Sequence, residues 1–301
     1  MVCDLCGAKD SYTVIWDKTE REKAGVLRSV VIRDAEGNII QGRNVMCKRC
    51  GLVYVSPRLA KKELDRFYAE DYRKIYGGQH SLDAEKRHAE TAFRIISDNG
   101  LLDEVNRFLD IGCSTGELVK LMDDAAICCG NGIEPNREHY EIAKSKGLYV
   151  ENCSIEDYSP SIKFDIITML NALEHVYSPT EVLTKISSLL NNDGYILVSV
   201  PNVYNRTINL PIDAFLSNAH TYNFSITTLC SLFNKCGFEV VKNYCVTEEM
   251  GDKIYLLGKK VDVGFELPIM DGHEIELTKQ HFEISDNVFQ MKLAIQQVGF
   301  K

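Results

Sequence analysis

Four cysteines and one glycine-rich turn are the residues of this chain whose types and spacing could do chemistry. Cys3-x-x-Cys6 and Cys47-x-x-Cys50 are two knuckles, and Gly7 and Gly51 follow them directly. Each knuckle places two thiolates about one turn apart on a tight loop, the geometry a tetrahedral Zn²⁺ needs. With sulfur in all four positions no place is left for water, so the metal's role would be structural. The remaining cysteines, Cys128 and Cys129 among them, lack ligand spacing and read as core residues. The turn lies in "FLDIGCSTGEL" at residues 108–118, where an apolar run ends at Asp110 and small residues recur at Gly112, Ser114 and Gly116. A small-residue loop between a strand and a helix lets backbone N–H groups and the helix N-terminus approach a ligand closely. It is neither a GxGxxG loop nor a phosphate loop ending in Lys-Ser/Thr. Glu134 ends the next strand, where a carboxylate can accept hydrogen bonds from both hydroxyls of a ribose. On these residues alone, a tight turn without a ligand and an exposed strand-end charge remain alternatives.

The elements that must position these groups fall into two blocks. The first runs to Pro57: "SYTVIW" reads as a strand, and "LRSVVIRDAEGNII" as two strands around an Ala-Glu-Gly-Asn turn. Residues 60–98 read as helical, with Leu64, Phe67 and Tyr68 on one face and a stop at Asn99-Gly100. From about residue 105 strands and helices alternate. "VNRFLDIG", "ICCGNGIEPN", "FDIITML" and "YILVSVPN" are strands, the last stopped by Pro201. "GELVKLMDDA", "REHYEIAKSKG", "SPTEVLTKISSLLNNDG" (closed by Gly194) and "SITTLCSLFNKCGF" are helices. "EVVKNYCV" and "KIYLLGKK" follow as two successive strands, which implies one antiparallel strand at that edge. This alternation predicts an α/β fold with a mainly parallel sheet covered on both faces. Residues 262–301 are acidic, then weakly helical.

Taken together and in this order, "FLDIGCSTG", "GIEPN", "FDIITMLNALEHV" and "GYILVSVPN" resemble the motifs of class I S-adenosylmethionine-dependent methyltransferases over residues 85–260. The resemblance implies a Rossmann-like seven-stranded sheet. It places Asp110, Gly112, Ser114 and Gly116 around the methionine part of S-adenosylmethionine, Glu134 on the ribose, Ile155 and Glu156 beside the adenine, and Asn171 beneath the sulfonium. Ser154 stands where many relatives carry an Asp on the adenine amino group. The cysteine block ahead of this core narrows the likeness to C- and O-methyltransferases acting on sugars and on natural-product or surface-glycan precursors. That implies a zinc-ribbon-like domain over 1–58, a helical linker or lid over 59–100, the methyltransferase domain over 101–261 and a C-terminal extension over 262–301.

Methyl transfer from a sulfonium is an in-line displacement, so the protein's tasks are alignment and removal of the acceptor's proton. Two histidines are candidate bases. His175 follows the fourth strand in "LEHV", and His220 lies in "NAHTYNFSITTL", ahead of a helix. In the sugar C-methyltransferases the matching loop carries a Glu-His pair, whereas Ala219 precedes His220 here. His220 is the favoured base, with Tyr222 two residues on to bind or orient the acceptor. Tyr68, Tyr72 and Tyr76 resemble residues of an acceptor lid, although aromatic stripes at helical spacing are more often core.

The composition limits the rest. In 301 residues the net charge is −9, which argues against a nucleic-acid partner and makes an RNA base methyltransferase with a zinc module the runner-up. A methyltransferase-like binding protein without turnover is the third reading, and the intact loop and Glu134 speak against it. No apolar run approaches a membrane span, and no secretory signal is evident. Eleven cysteines without such a signal fit a reducing, cytoplasmic setting. The expected partner is a small-molecule or glycan-precursor acceptor.

Overall fold

The computed structural model describes residues 2–25, 27, 32–34, 36–71, 79–125, 129–206, 212–217, 219–248, 251–261, 280–283 and 286. Tyr72, Tyr76, Cys128, part of the expected 27–40 hairpin and most of 262–301 lie outside these residues. Within the hairpin, Arg33 pairs with Ile39.

Two sheets organise the chain. The large one joins seven strands: β4 (Arg107–Ile111), β5 (Cys129–Ile133), β6 (Tyr149–Glu151), β7 (Phe164–Leu170), β8 (Leu190–Arg206), β10 (Phe238–Glu248) and β11 (Gly251–Lys260). Their order is β10-β11-β8-β7-β4-β5-β6. The strands from β6 to β8 are parallel, and β11 runs against both of its neighbours. This is the seven-stranded α/β sheet that the resemblance implies, with the antiparallel strand the sequence implies. Its centre is dry: Phe108, Leu109, Ile167, Leu197 and Val198 have no exposed surface.

Helices connect the parallel strands, as right-handed crossovers require. They are α4 (Glu117–Asp124), α5 (Arg137–Ser145) and α6 (Pro179–Leu189), with α8 (Ile226–Lys235) leading into β10 and the long α3 (Gln79–Asp98) preceding β4. Their starts follow local chemistry. Asn136, Ser178 and Ser225 each accept a backbone N–H of the first turn that would otherwise be orphaned.

The second sheet is antiparallel, in the order β1-β2-β3-β9, from Tyr12–Asp17, Arg43–Cys47, Val53–Val55 and Tyr222–Asn223. Its fourth strand comes from far along the chain, beyond β8. Tyr54 pairs with Tyr222, and Val55 N–H donates to the Thr221 carbonyl at 2.9 Å. Short helices α1 (Lys18–Lys23) and α2 (Lys61–Arg66), the latter continued by a wide turn over Phe67–Asp71, and α7 (Ile212–Phe215) complete the described elements.

Two boundaries differ from expectation. Helix α6 ends at Leu189 rather than near Gly194, because buried Leu190 turns extended and pairs with Phe164. Strand β8 runs through Pro201 to Arg206. The Ser199 carbonyl faces β7, where it accepts the Asn171 N–H at 2.9 Å. Residues two apart face the same side, so the missing Pro201 N–H points to where β7 has already ended and breaks no ladder bond.

Candidate functional site

At the carboxyl ends of β4, β5 and β7 lies a cavity of about 360 Å³, in the range of small-ligand sites. The turn after β4 lines it. Gly112, Ser114 and Gly116 all adopt positive φ, at 70°, 49° and 82°. At Gly116 this conformation opens α4, and a Cβ there would run into Leu148 Cδ1. Gly116→Ala is therefore expected to lower folding stability by about 1–2 kcal/mol from the left-handed backbone alone, with the Leu148 clash adding to it. Urea unfolding of the two proteins checks this; equal midpoints would show that the turn tolerates a side chain.

Glu134 follows β5 and is 6% exposed. Its Oε2 accepts the Ser114 N–H at 2.9 Å and its Oε1 the Asn136 N–H at 2.8 Å. One carboxylate thus ties two loops together while keeping lone pairs for a ligand. Asp110, buried at the end of β4, accepts from Thr168 Oγ1 at 2.6 Å. Burial pushes its carboxyl up to about 7; the Thr168 hydrogen bond opposes that rise and the nearby Glu134 charge adds to it.

Ile155 and Glu156 line the cavity with Ser154, whose hydroxyl donates to Asp157 at 2.9 Å. Asn171, just past β7, is a non-glycine residue at φ 50°, an unfavourable conformation of the kind that clusters at working sites. Its amide pairs with His88 Nδ1 at 3.0 Å and accepts from Lys253 Nζ. All eight expected donor-site residues therefore surround or support this one cavity.

Among the lining residues, Glu85, His88 and Lys253 carry charge or a titratable ring yet have no role in the sequence reading. Glu85 and His88 come from α3, and Lys253 from β11. Glu85 Oε2 accepts from Ser114 Oγ at 2.6 Å, and His139 Nδ1 contacts the same oxygen at 2.6 Å. The Glu85, His88 and Ala89 spacing puts them on one helix face, a signal that could have drawn attention to them. Lys253 has no local signal, since only strand pairing brings it here.

His175 lines the cavity; His220 is not among the described lining residues. Their ring centroids are 5.1 Å apart, edge to face, with His220 packed against His175. Burial holds the His220 imidazole well below its usual pKa, and the charges of His175, Lys253 and Lys18 add to this. His175 Nδ1 lies 3.1 Å from both the Ala219 carbonyl and Tyr68 OH. A carbonyl only accepts, so the network assigns the proton to Nδ1 and leaves Nε2 as the basic nitrogen. Glu174, His175 and His220 bring a carboxylate oxygen and two ring nitrogens within 4.8 Å of one another. Burial pushes the Glu174 carboxyl up to about 7, with the Lys253 charge pulling the other way.

Tyr222 is placed differently from expectation. It is 1% exposed in β9, donates its hydroxyl to the Tyr177 carbonyl at 3.1 Å and receives a hydrogen bond from Arg58. Its ring belongs to the core of the small sheet, while Tyr68 and Tyr177 reach the cavity.

The four N-terminal cysteines converge. Cys3 and Cys50 sulfurs are 3.6 Å apart, those of Cys6 and Cys47 are 3.5 Å apart, and all four lie within 4.8 Å of one another. Zn–S bonds of about 2.3 Å at tetrahedral angles set sulfurs about 3.8 Å apart, so the set fits one zinc. Asp4, inside the first knuckle, accepts from Ser178 Oγ at 2.6 Å and from the Thr180 N–H at 2.8 Å, which docks the cysteine loops on the start of α6.

With this geometry in hand, comparison with known proteins is informative. A family model described as a methyltransferase domain matches residues 84–243. A ubiquinone biosynthesis O-methyltransferase from Haemophilus ducreyi is 30% identical over 130 residues, covering 39% of this chain and 51% of that protein. An uncharacterised protein of Methanocaldococcus jannaschii is 26% identical over 150 residues, 49% of this chain and 54% of its own length. The match thus spans about half the length of these relatives. Among solved structures, a Burkholderia thailandensis 1,6-didemethyltoxoflavin-N1-methyltransferase with S-adenosylhomocysteine bound superposes with a TM-score of 0.54 at 16% identity, covering 70% of this chain and 96% of that one. A magnesium protoporphyrin IX methyltransferase from Synechocystis with S-adenosylmethionine bound gives 0.52 at 14% identity, covering 68% and 100%. At these identities the structures establish the shared fold.

Proposed function

Because the chain belongs to the methyltransferase-domain family and carries its S-adenosylmethionine-dependent domain, we propose that it transfers a methyl group from S-adenosylmethionine to a small polar acceptor. The observation that carries this reading is the Glu134 carboxylate tied to the Ser114 turn in the wall of the cavity. Glu85, Asp110 and Glu134 make that end of the cavity acidic, which suits a donor bearing an ammonium and a sulfonium. The turn over Gly112–Gly116 would hold the methionine part, Glu134 the ribose hydroxyls, Ile155 and Glu156 the adenine, and Asn171 the region of the sulfonium. When bound, the donor supplies a methyl group already activated on sulfur. The chain's part is to align the acceptor and take its proton. His175, on the cavity wall with Nε2 basic, is the group in place for that; His220 backs its ring, and Tyr68 and the Ala219 carbonyl fix its tautomer.

The acceptor in this reading is a sugar or a surface-glycan or natural-product precursor, and the naming of relatives as O-methyltransferases favours oxygen as the atom methylated. The cysteine cluster is proposed to bind one structural Zn²⁺. Residues 1–58 would then be the zinc-binding part, 59–100 the lid, 101–261 the catalytic domain and 262–301 an extension.

Calorimetry with S-adenosylhomocysteine tests the donor site. Glu134→Ala removes two charge-assisted hydrogen bonds to the ribose, each worth roughly 1.5–3 kcal/mol, so affinity is expected to fall at least about tenfold. Unchanged affinity would place the ribose elsewhere.

A further inference from the structure

Besides the four cysteines, the described residues hold one further group of side chains able to ligate a metal: Glu174, His175 and His220. Glu174 Oε1 lies 3.9 Å from His175 Nε2. Glu174 is 2% exposed, and its Oε2 has no hydrogen-bond partner. A buried carboxylate oxygen left without a partner is costly and calls for one. The Lys253 charge acts on this carboxyl through space but gives Oε2 no hydrogen bond. The surroundings of the histidines are those of ligands. A metal-bound histidine donates its other ring N–H to a carbonyl or carboxylate, which fixes the ring and its tautomer. His175 does this: Nδ1 faces the Ala219 carbonyl at 3.1 Å, so Nε2 keeps its lone pair. The chain goes straight on to His220, so one loop supplies one ligand and holds another in place. A second tether closes that loop on the turn after β7, where the Tyr222 N–H donates to the Glu174 carbonyl at 3.1 Å.

Bonds of about 2.1 Å at tetrahedral angles set ligand atoms about 3.4 Å apart, so shifts of about 1 Å would close these three atoms on one ion. Two imidazoles and a carboxylate suit a divalent transition-metal ion such as Zn²⁺ or Fe²⁺ over Mg²⁺ or Ca²⁺, which prefer oxygen alone. Three protein ligands leave a coordination position open, and His175 sets the cluster against the cavity. We propose that Glu174, His175 and His220 bind a divalent transition-metal ion whose open position takes the acceptor's hydroxyl oxygen. Bound to the ion, that oxygen releases its proton to solvent near neutral pH. It then forms the bond to the methyl carbon, the carbon–sulfur bond breaks, and the electron pair stays on the sulfur of S-adenosylhomocysteine. This rests on the methyltransferase reading and deepens the part played by His175. With the ion bound, Nε2 acts on the acceptor's proton by way of the metal; without it, Nε2 is itself the base.

Co²⁺ titrated into the full chain already holding one equivalent of zinc tests this without knowledge of the natural acceptor, because its visible spectrum separates nitrogen and oxygen ligands from thiolates. The parent is expected to take up one equivalent of Co²⁺ with no thiolate-to-cobalt band. The outer partners of a ligand are typically worth about 10–100-fold in metal affinity, so loss of a ligand itself in Glu174→Gln should weaken Co²⁺ binding at least about tenfold. Glu174→Asp keeps the carboxylate and should recover part of that loss. His220→Asn is the second variant if Glu174→Gln unfolds, with the same expectation. S-adenosylhomocysteine affinity within about threefold of the parent shows that the cavity survives in each. Acetohydroxamate, a small oxygen chelator, should shift the visible bands of the parent's Co²⁺ complex, which reports the open position. Co²⁺ held by thiolates alone, equal Co²⁺ affinity in the parent and the variants, or bands that ignore acetohydroxamate would overturn the proposal and leave His175 as the direct base. Failure of the parent to bind S-adenosylhomocysteine would instead remove the methyltransferase reading, whatever the Co²⁺ titration gives.

Discussion

Cys47→Ser is expected to lower the thermal unfolding midpoint by about 10 °C or more and to leave the purified protein with well under half an equivalent of zinc, where the parent holds one. Serine keeps the size of the side chain and removes the thiolate. Structural zinc sites contribute their binding energy to folding, and apparent values in small zinc modules reach about 10–16 kcal/mol. Even a loss of about 4 kcal/mol shifts the midpoint of a protein above 150 residues by roughly 8–16 °C. Here the cluster is part of the core. Cys3, Cys47 and Cys50 pack in one cluster of buried residues with Leu173, Val182, Leu183 and Tyr222. The sulfurs approach in pairs at 3.5 and 3.6 Å, a spacing that four thiolates hold only around a cation. The consequence extends to the site, because β3 follows the second knuckle and pairs with β9, next to Ala219 and His220. Elemental analysis beside a thermal melt decides the matter. A parent with less than about half an equivalent of zinc, or a Cys47→Ser variant that melts with the parent, would end the zinc assignment.

The larger effect on turnover is expected at His175. His175→Asn keeps polarity and approximate size but removes the basic Nε2. Positioned general bases contribute about 10²–10⁴-fold, so turnover should fall at least about a hundredfold. Affinity for S-adenosylhomocysteine should change by less than about fivefold. His220→Asn should cost less, about tenfold, because its ring reaches the reaction through His175. The order follows from the cavity wall, which His175 forms. Single-turnover rates with an active acceptor compare the two. Normal turnover in His175→Asn with a dead His220→Asn would exchange their roles and restore the order that the sequence alone suggested.

Much of this protein was legible from local chemistry. The small-residue turn after β4, Glu134 after β5 and the strand-helix alternation each depend on residues close in sequence. So do the helix caps at Asn136, Ser178 and Ser225. The two Cys-x-x-Cys pairs were equally plain, since a tetrahedral thiolate site needs only that spacing and a chain able to bring the pairs together. Where local reading failed, a neighbour distant in sequence had decided. Leu190 left its helix to pair with Phe164, and Pro201 stayed in a strand because β7 had ended beside it.

The sequence by itself determined the sheet, the tight turn after β4 and the two cysteine knuckles, because turn geometry, side-chain period and ligand spacing are properties of short segments. The tertiary structure alone decided which of the remaining residues reach the cavity. Tyr222 became a core residue of β9 through its pairing with Tyr54. Lys253 reached Asn171 across 82 positions of chain. His175 rather than His220 took the cavity wall, although both stand in plausible loops. Strand order and the packing of one loop against another fix these placements, and no short segment contains the partner that selects them.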